Sequence, residues 1–399
     1  MSAIEEAHRR HWPQVLAATV RLTRDLDLAQ ECVQEAYVRA LTAWGDDPPR
    51  NPAAWLTTTA RRLAIDAIRR EATLRNKLPL LVVDEDPAEP EPQTDLLRLV
   101  FTCVHPALSR DAQVALSLRL LGGLTVAEIA SGLLVQESAV AARITRAKRK
   151  IATAGIPFRV PPEAELPRRL DAVLEVILLI HTAGHTAVVG SELLRPDLSA
   201  KARDLARLLA GLMPGNSEVQ GLLAVCLLTD ARAGARCGPG GELLPLAEQD
   251  RRRWDPLLLT AGLRAATAAL RGGTGRYALQ AAIAGLHAQA PDAQHTDWAA
   301  IVTMYDGLQA RWPTPVVALN RLVALSMLPA ADLEALLAQV DELARDPGLE
   351  RYPYLPAVRA DLLRRLGRHA AAREAYLQAK ARTRNAAEIA YLDRRLRET

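Results

Sequence analysis

Aromatic residues are scarce in this chain: Phe occurs twice, and Phe, Trp and Tyr together make up 4% of 399 residues. Aromatic and β-branched residues fill strands, so their scarcity beside abundant Ala and Leu argues against a sheet. Almost every apolar pattern has the helical period, and the chain reads as all-α. Long apolar runs are missing too. The most apolar one, LDAVLEVILLI (170–180), is too short and too interrupted to cross a bilayer, so a buried helix and no membrane partner are expected. Cysteine is sparse: Cys32, Cys103, Cys226 and Cys237 are scattered without a C-x-x-C pair, which excludes a disulfide framework and predicts reduced thiols. The start, MSAIEEAHRRHWPQ, lacks the apolar segment of a secretory signal, and a cytoplasmic protein is expected. The glycine-rich GARCGPGGELL (234–244) lacks the helix and Lys-Ser/Thr of a phosphate loop, and no nucleophile elbow is present. Nothing points to catalysis or to a cofactor.

Charge of one sign is also absent overall, the formal net being +4. Its distribution is what matters. Arg143, Arg146, Lys148, Arg149 and Lys150 crowd one place, and Asp84, Glu85, Asp86, Glu89, Glu91 and Asp95 another. A local basic patch on a near-neutral chain suits a nucleic-acid face beside protein-facing surfaces. Periodicity and breakers divide the chain into blocks. Residues 1–75 predict helices at 5–22, 25–44 and 51–75, with Asn51 as a cap and Pro52 in the first turn. Residues 76–95 form a Pro-rich acidic linker, either a solvated spacer or a nucleic-acid mimic. A second helical unit spans 96–160, and 168–399 form a third block. Its end, ADLLRRLGRHAAAREAYLQA, resembles a tetratricopeptide repeat in the spacing of Ala360, Leu363, Gly367, Ala372, Tyr376 and Ala379. Such arrays offer a surface to an unknown protein or ligand.

Two stretches carry functional signals. In LTVAEIASGLLVQESAVAARITRAKRK (124–150), Thr125 and Glu128 form a capping-box pattern before the apolar run Val126, Ile129, Ala130 and Leu133. A break follows at 134–136, then a helix with Val140, Ile144, Ala147 and Ile151 on one stripe. Ser138, Ala142, Thr145, Arg146 and Arg149 lie opposite, with Arg143 nearby. Two helices, a tight turn and a small, hydroxyl- and guanidinium-bearing face make a helix-turn-helix. A basic helix end that only offsets the macrodipole is the alternative.

Upstream, LAQECVQEAYVRALTAW (28–44) places Leu28, Val33, Ala36, Tyr37, Ala40, Leu41 and Trp44 on a core stripe and leaves Glu31, Gln34 and Glu35 outside. The next helix, NPAAWLTTTARRLAIDAIRR, aligns Trp55, Thr59, Arg62, Asp66 and Arg69, with Arg61 and Arg70 beside them. Cations for phosphates and a ring for unstacked bases suit melted DNA, although Trp55 suits a core better. His181 and His185 have a two-ligand spacing but no third ligand nearby, so no metal is expected.

The acid-bearing helix, short loop and AAWLTTTARRLAIDAIRRE resemble domain 2 of the extracytoplasmic-function (ECF) bacterial sigma factors. VALSLRLLGGLTVAEIASGLLVQESAVAARITRAKRKI resembles their domain 4, and the remainder resembles the subgroup with a long helical C-terminal extension. The resemblance implies a domain 2 bundle at 1–75, a helix-turn-helix domain 4 at 96–160 and a tetratricopeptide-like regulatory array at 168–399. It implies that Glu31, Gln34 and Glu35 face the β′ clamp helices of core RNA polymerase. Asp46, Arg50, Asn51, Trp55, Arg61, Arg62, Arg69 and Arg70 would hold the −10 element, the turn at 45–52 capturing a flipped base. Ser138, Ala142, Arg143, Thr145, Arg146 and Arg149 would read the −35 element, with the preceding hairpin touching the β flap. The chain departs from the family at Gln136-Glu137-Ser138-Ala139, where Pro-x-Gly-Thr is usual, and at Ala141, so its promoter preference is its own. A conventional helix-turn-helix regulator with a repeat-type sensor is the alternative, though it has no need of the first block.

Overall fold

The computed structural model describes residues 3–45, 47–75, 92–133, 135–187, 189–190 and 192–399. Their regular structure is helical apart from one two-residue strand pairing and an isolated bridge between Cys237 and Leu243, and they form two compact units, Met1–Ile180 and His181–Thr399. Among the described residues no helix is long and apolar enough to cross a membrane.

In the first unit, α1 (Ala3–Thr23), α2 (Leu26–Ala43) and α3 (Pro52–Arg75) pack on one another. Ala17, Ala29, Ala36, Ala40, Ala60 and Ala64 are all fully buried, and their small side chains let the three backbones approach closely. Trp12 and Tyr37 stack between α1 and α2, and the Tyr37 hydroxyl donates to the Ala7 carbonyl at 3.3 Å. Asp25 starts α2 by accepting the N–H groups of Asp27 and Leu28 at 2.7 and 2.9 Å.

Next come α4 (Pro92–Cys103), α5 (Arg110–Ser117) and a π turn over Leu118–Gly122, which ends at Gly123 with φ +74°. That left-handed backbone is inexpensive only for glycine. Helices α6 (Val126–Gly132) and α7 (Glu137–Thr153) follow, then α8 (Leu166–His185). The acidic linker expected at 76–95 ends earlier than its composition indicates. Pro92 opens α4, and Asp95 is 2% exposed, ion-paired with Arg98 at 2.9 Å and Arg21 at 3.2 Å. Burial pushes this carboxyl's pKa up, and the arginines oppose that shift. The acids at 84–91 lie outside the described residues. This unit continues to Ile180, because Arg110 of α5 donates to the Asp171 carbonyl at 3.1 Å and pairs with Glu175, both on α8.

The second unit is a succession of helices: α9 (Pro196–Leu212), α10 (Ser217–Asp230), α11 (Pro256–Gly272), α12 (Arg276–Gln289) and α13 (Trp298–Arg311). It continues through α14 (Pro315–Ser326), α15 (Leu333–Leu343), α16 (Tyr354–Arg365), α17 (His369–Arg382) and α18 (Ala386–Glu398). Asn216, Asp255, Asp297, Thr314, Asp332 and Asn385 each cap the helix that follows them. Ala360, Leu363, Ala372, Tyr376 and Ala379 are buried between α16 and α17, and Gly367 turns the chain between these helices at φ +73°. Gly221 of α10 marks the closest approach. A Cβ there would lie 2.5 Å from the Tyr277 backbone, so α10 and α12 meet only because the side chain is missing. The strand pairing, β1 (Val189–Gly190) beside β2 (Arg384–Asn385), is parallel. Asn385 secures it by donating to the carbonyls of Ala187 and Glu192 at 2.9 and 3.0 Å.

Candidate nucleic-acid interface

Helix α6 starts on the capping box read from the sequence. Thr125 Oγ1 accepts the Glu128 N–H at 3.1 Å, and Glu128 Oε2 accepts the Thr125 N–H at 2.7 Å. Arg119, on the π turn, fixes the approach to this helix by donating to the Leu124 carbonyl at 2.9 Å. After the break, Gln136 caps α7 with no side-chain hydrogen bond. Val140, Ile144, Ala147 and Ile151 are buried, as the stripe predicts, and anchor α7 on α5 and α6. Ser138, Thr145, Arg146, Arg149 and Lys150 are exposed. Ala142 is half-buried, and so is Arg143, which pairs with Asp111 at 2.8 Å. That partner is 65% exposed, so the pair contributes little and exchanges readily.

On α3, Asn51 Oδ1 accepts the Ala54 N–H at 3.1 Å and starts the helix that displays the upstream arginines. Arg62, Arg69 and Arg70 are exposed and Arg61 is half-buried; Arg70 Nε also donates to the Asp66 carbonyl at 3.3 Å. Trp55 is neither core nor free. It is half-buried, edge-to-face on buried Trp44 with ring centroids 5.5 Å apart, and this contact ties α2 to the start of α3. Arg50 is exposed, and Asp46 lies outside the described residues.

Glu31, Gln34 and Glu35 are exposed on α2, with Glu35 paired to Arg39 at 3.0 Å. Leu41, assigned above to the core stripe, turns outward and is 62% exposed, and Val38 is 55% exposed. Tyr37, Ala40 and Trp44 complete the bundle, so Leu41 falls beyond its edge. Residues 31, 34, 35, 38 and 41 therefore form one helical face, acidic at one end and apolar at the other. The spacing was present in the sequence, but apolar identity alone drew Leu41 inward. Below this face Lys148 of α7 reaches Asp27 at 2.7 Å, and a shallow crevice lined by Gln30, Glu31, Gln34, Arg119 and Ile144 runs beside the pair.

The histidine pair has other work. His181 Nε2 contacts Asp230 Oδ1 at 2.9 Å, Arg203 donates to Asp230 Oδ2 at 2.6 Å, and the two imidazoles stack 6.0 Å apart. Burial and nearby Arg236 hold His185 neutral, with its pKa well below the usual histidine range. Among the described residues no cluster of three or more His, Cys, Asp or Glu side chains is arranged to hold a metal. The four cysteines are free thiols, three of them buried.

Residues 7–73 match the family model Sigma-70 region 2, 98–151 match Sigma-70 region 4, and 169–270 match a family of unknown function, DUF6596. The chain is 42% identical over 393 residues to an uncharacterised protein of Rhizobium meliloti, covering 95% of this chain and 92% of that one. It is 27% identical over 194 residues to the probable ECF RNA polymerase sigma factor SigI of Mycobacterium tuberculosis, covering 44% of this chain and 67% of that protein. Identity to the ferric citrate uptake sigma factor FecI of Escherichia coli is 30% over 134 residues, covering 32% of this chain and 77% of FecI. No solved structure matches the chain.

Proposed function

The chain belongs to the ECF sigma factors, and from that premise we propose how its residues divide the work of locating a promoter. As an alternative sigma factor it acts in transcription initiation, with core RNA polymerase and promoter DNA as partners. The polymerase makes the phosphodiester bonds; the sigma factor supplies position.

In our reading, α7 enters the major groove of the −35 element. The supporting observation is its exposed face, where Ser138, Thr145, Arg146 and Arg149 project from a helix whose opposite face is fully buried. Arginine is the side chain best matched to guanine edges, and small neighbours let the helix approach them. Arg62, Arg69 and Arg70 hold −10 phosphates, while Arg50, Asn51 and Trp55 lie at the mouth of the 45–52 turn where an unstacked base would lodge. Glu31, Gln34 and Glu35 dock on the β′ clamp helices, and Val38 and Leu41 extend that contact with apolar area. The second unit is the regulatory part, setting when the first unit acts.

Run-off transcription tests the assignment. Purified protein and core polymerase, with no other sigma, are expected to give transcripts from a promoter mapped by genome-wide co-occupancy; transcripts that require a second sigma would overturn the reading. On that promoter Arg146→Ala should weaken −35 binding by about 1–3 kcal/mol and relax preference at one base pair. An equal loss on every sequence would reassign Arg146 to a phosphate.

A further inference from the structure

The second unit contains a cavity of about 740 Å³, within the range of pockets that enclose a small organic ligand. Its walls come from the 243–251 loop, the start of α13, the end of α14, and helices α16 and α18. Much of the lining is apolar, including Leu243, Leu246, Trp298, Met327, Tyr354 and Val358. Met327 is 42% exposed and Tyr354 38% exposed, so the mouth opens to solvent through apolar side chains. The lining is also cationic. Arg364, Arg365 and Arg395 converge on a single carboxylate, Asp361, at 2.8, 3.9 and 3.4 Å.

The remaining acids that line the cavity are committed elsewhere. Glu248 is bound to Arg394 at 2.6 Å, and Glu388 accepts the hydroxyls of Tyr354 and Thr383. Arg395 also pairs with Glu398 at 2.8 Å, and Arg365 donates to the Ser326 carbonyl at 2.7 Å. Among the described residues Asp361 is the one lining carboxylate ion-paired with these three guanidiniums, and the lining holds four arginines against three carboxylates. Arg251, a fourth guanidinium of the lining, donates through Nη1 to the carbonyls of His287 and Ala290, while its buried Nη2 has no hydrogen-bond partner. Partly desolvated guanidiniums in excess over carboxylates favour an anion, and their planar forks suit a carboxylate or phosphate.

We propose that this cavity binds a small amphipathic organic anion, its apolar body against Trp298, Met327, Tyr354 and Val358 and its acidic group at Arg364, Arg365 and Arg395. The site lies outside the residues assigned to polymerase and DNA and does not depend on those assignments. Both apolar area and charge contribute, so a neutral molecule of equal size binds less well.

The test uses the full chain with 8-anilinonaphthalene-1-sulfonate as a fluorescent amphipathic anion. Saturable binding with one site per chain is expected, and decanoate should displace the probe about tenfold or more better than 1-decanol. Ala357→Trp, which fills the cavity from α16, should abolish the saturable site. Arg365→Gln should weaken decanoate about tenfold and leave decanol unchanged. Thermal melts establish that each variant is folded. Equal displacement by decanoate and decanol would overturn the proposal, as would undiminished probe binding in a folded Ala357→Trp protein. If Ala357→Trp fails to fold, Arg365→Gln decides the matter alone.

Discussion

Side chains on the first unit take roles according to the partners that packing leaves them. Arg143 and Arg146 lie one helical turn apart on α7, but the first is half-buried and paired with Asp111 whereas the second is exposed. Position in the sequence already sets Arg143 nearer the buried stripe than Arg146, and the placement of α5 supplies its partner. Leu41 is the reverse case, an apolar residue that packing leaves outside. In the proposed function, a leucine 62% exposed beside Val38, on the face carrying Glu31, Gln34 and Glu35, adds apolar area to the polymerase contact. Leu41→Asp should therefore weaken association with core polymerase by about 1–2 kcal/mol while the free protein keeps its melting temperature. Native gel titration against core enzyme, paired with a thermal melt, measures both. A loss of thermal stability with unchanged association would move Leu41 back into the fold's support.

Among elements, the helix-turn-helix was the most legible, because local chemistry decides it. Thr125 and Glu128 are three residues apart and satisfy each other, whatever the rest of the chain does. The stripe Val140, Ile144, Ala147 and Ile151 has one period and one burial pattern. Thr125→Ala should cost about 1 kcal/mol of stability in the first unit. It should also lower occupancy of −35 DNA through misplacement of α7, and Thr125→Ser should restore both. Chemical denaturation and DNA titration on the two variants check this. Long-range arrangements were illegible for an equally physical reason. Asp95 belonged to an acidic run until Arg21, far earlier in the chain, met it in the fold. The cavity of the second unit joins Leu243, Trp298, Met327, Tyr354 and Arg395, which no window of sequence places together. Trp55 could not be assigned from sequence because it is half-buried, leaning on Trp44.

At the scale of the whole molecule, the division falls at Ile180, after most of α8, and not at the proline-rich stretch before it. Arg110 draws the start of α8 into the first unit through Asp171 and Glu175. A truncation meant to isolate the promoter-binding part should therefore end after Ile180. Cutting near residue 160 would strip Leu174 and Ile177, both fully buried, from the unit. The chain ended at Ile180 is expected to select the same promoter as the full chain but with a clearly different transcript yield. Run-off assays on matched amounts of the two proteins measure this, and equal yields would remove the regulatory role of the second unit.

Gly275 and Glu218 make one helix of the second unit depend on another. Helix α12 begins at a glycine that has no side chain to cap it, and the carboxylate of Glu218 on α10 accepts the N–H groups of Tyr277 and Ala278 at 3.0 and 3.1 Å. The end of α12 is thus completed from another helix, across the whole of α11. Helix α12 therefore draws on α10 for its first turn, and Glu218→Ala is expected to fray α12 at its start, read as faster amide exchange at Tyr277 and Ala278 while the melting of the rest of the unit changes little.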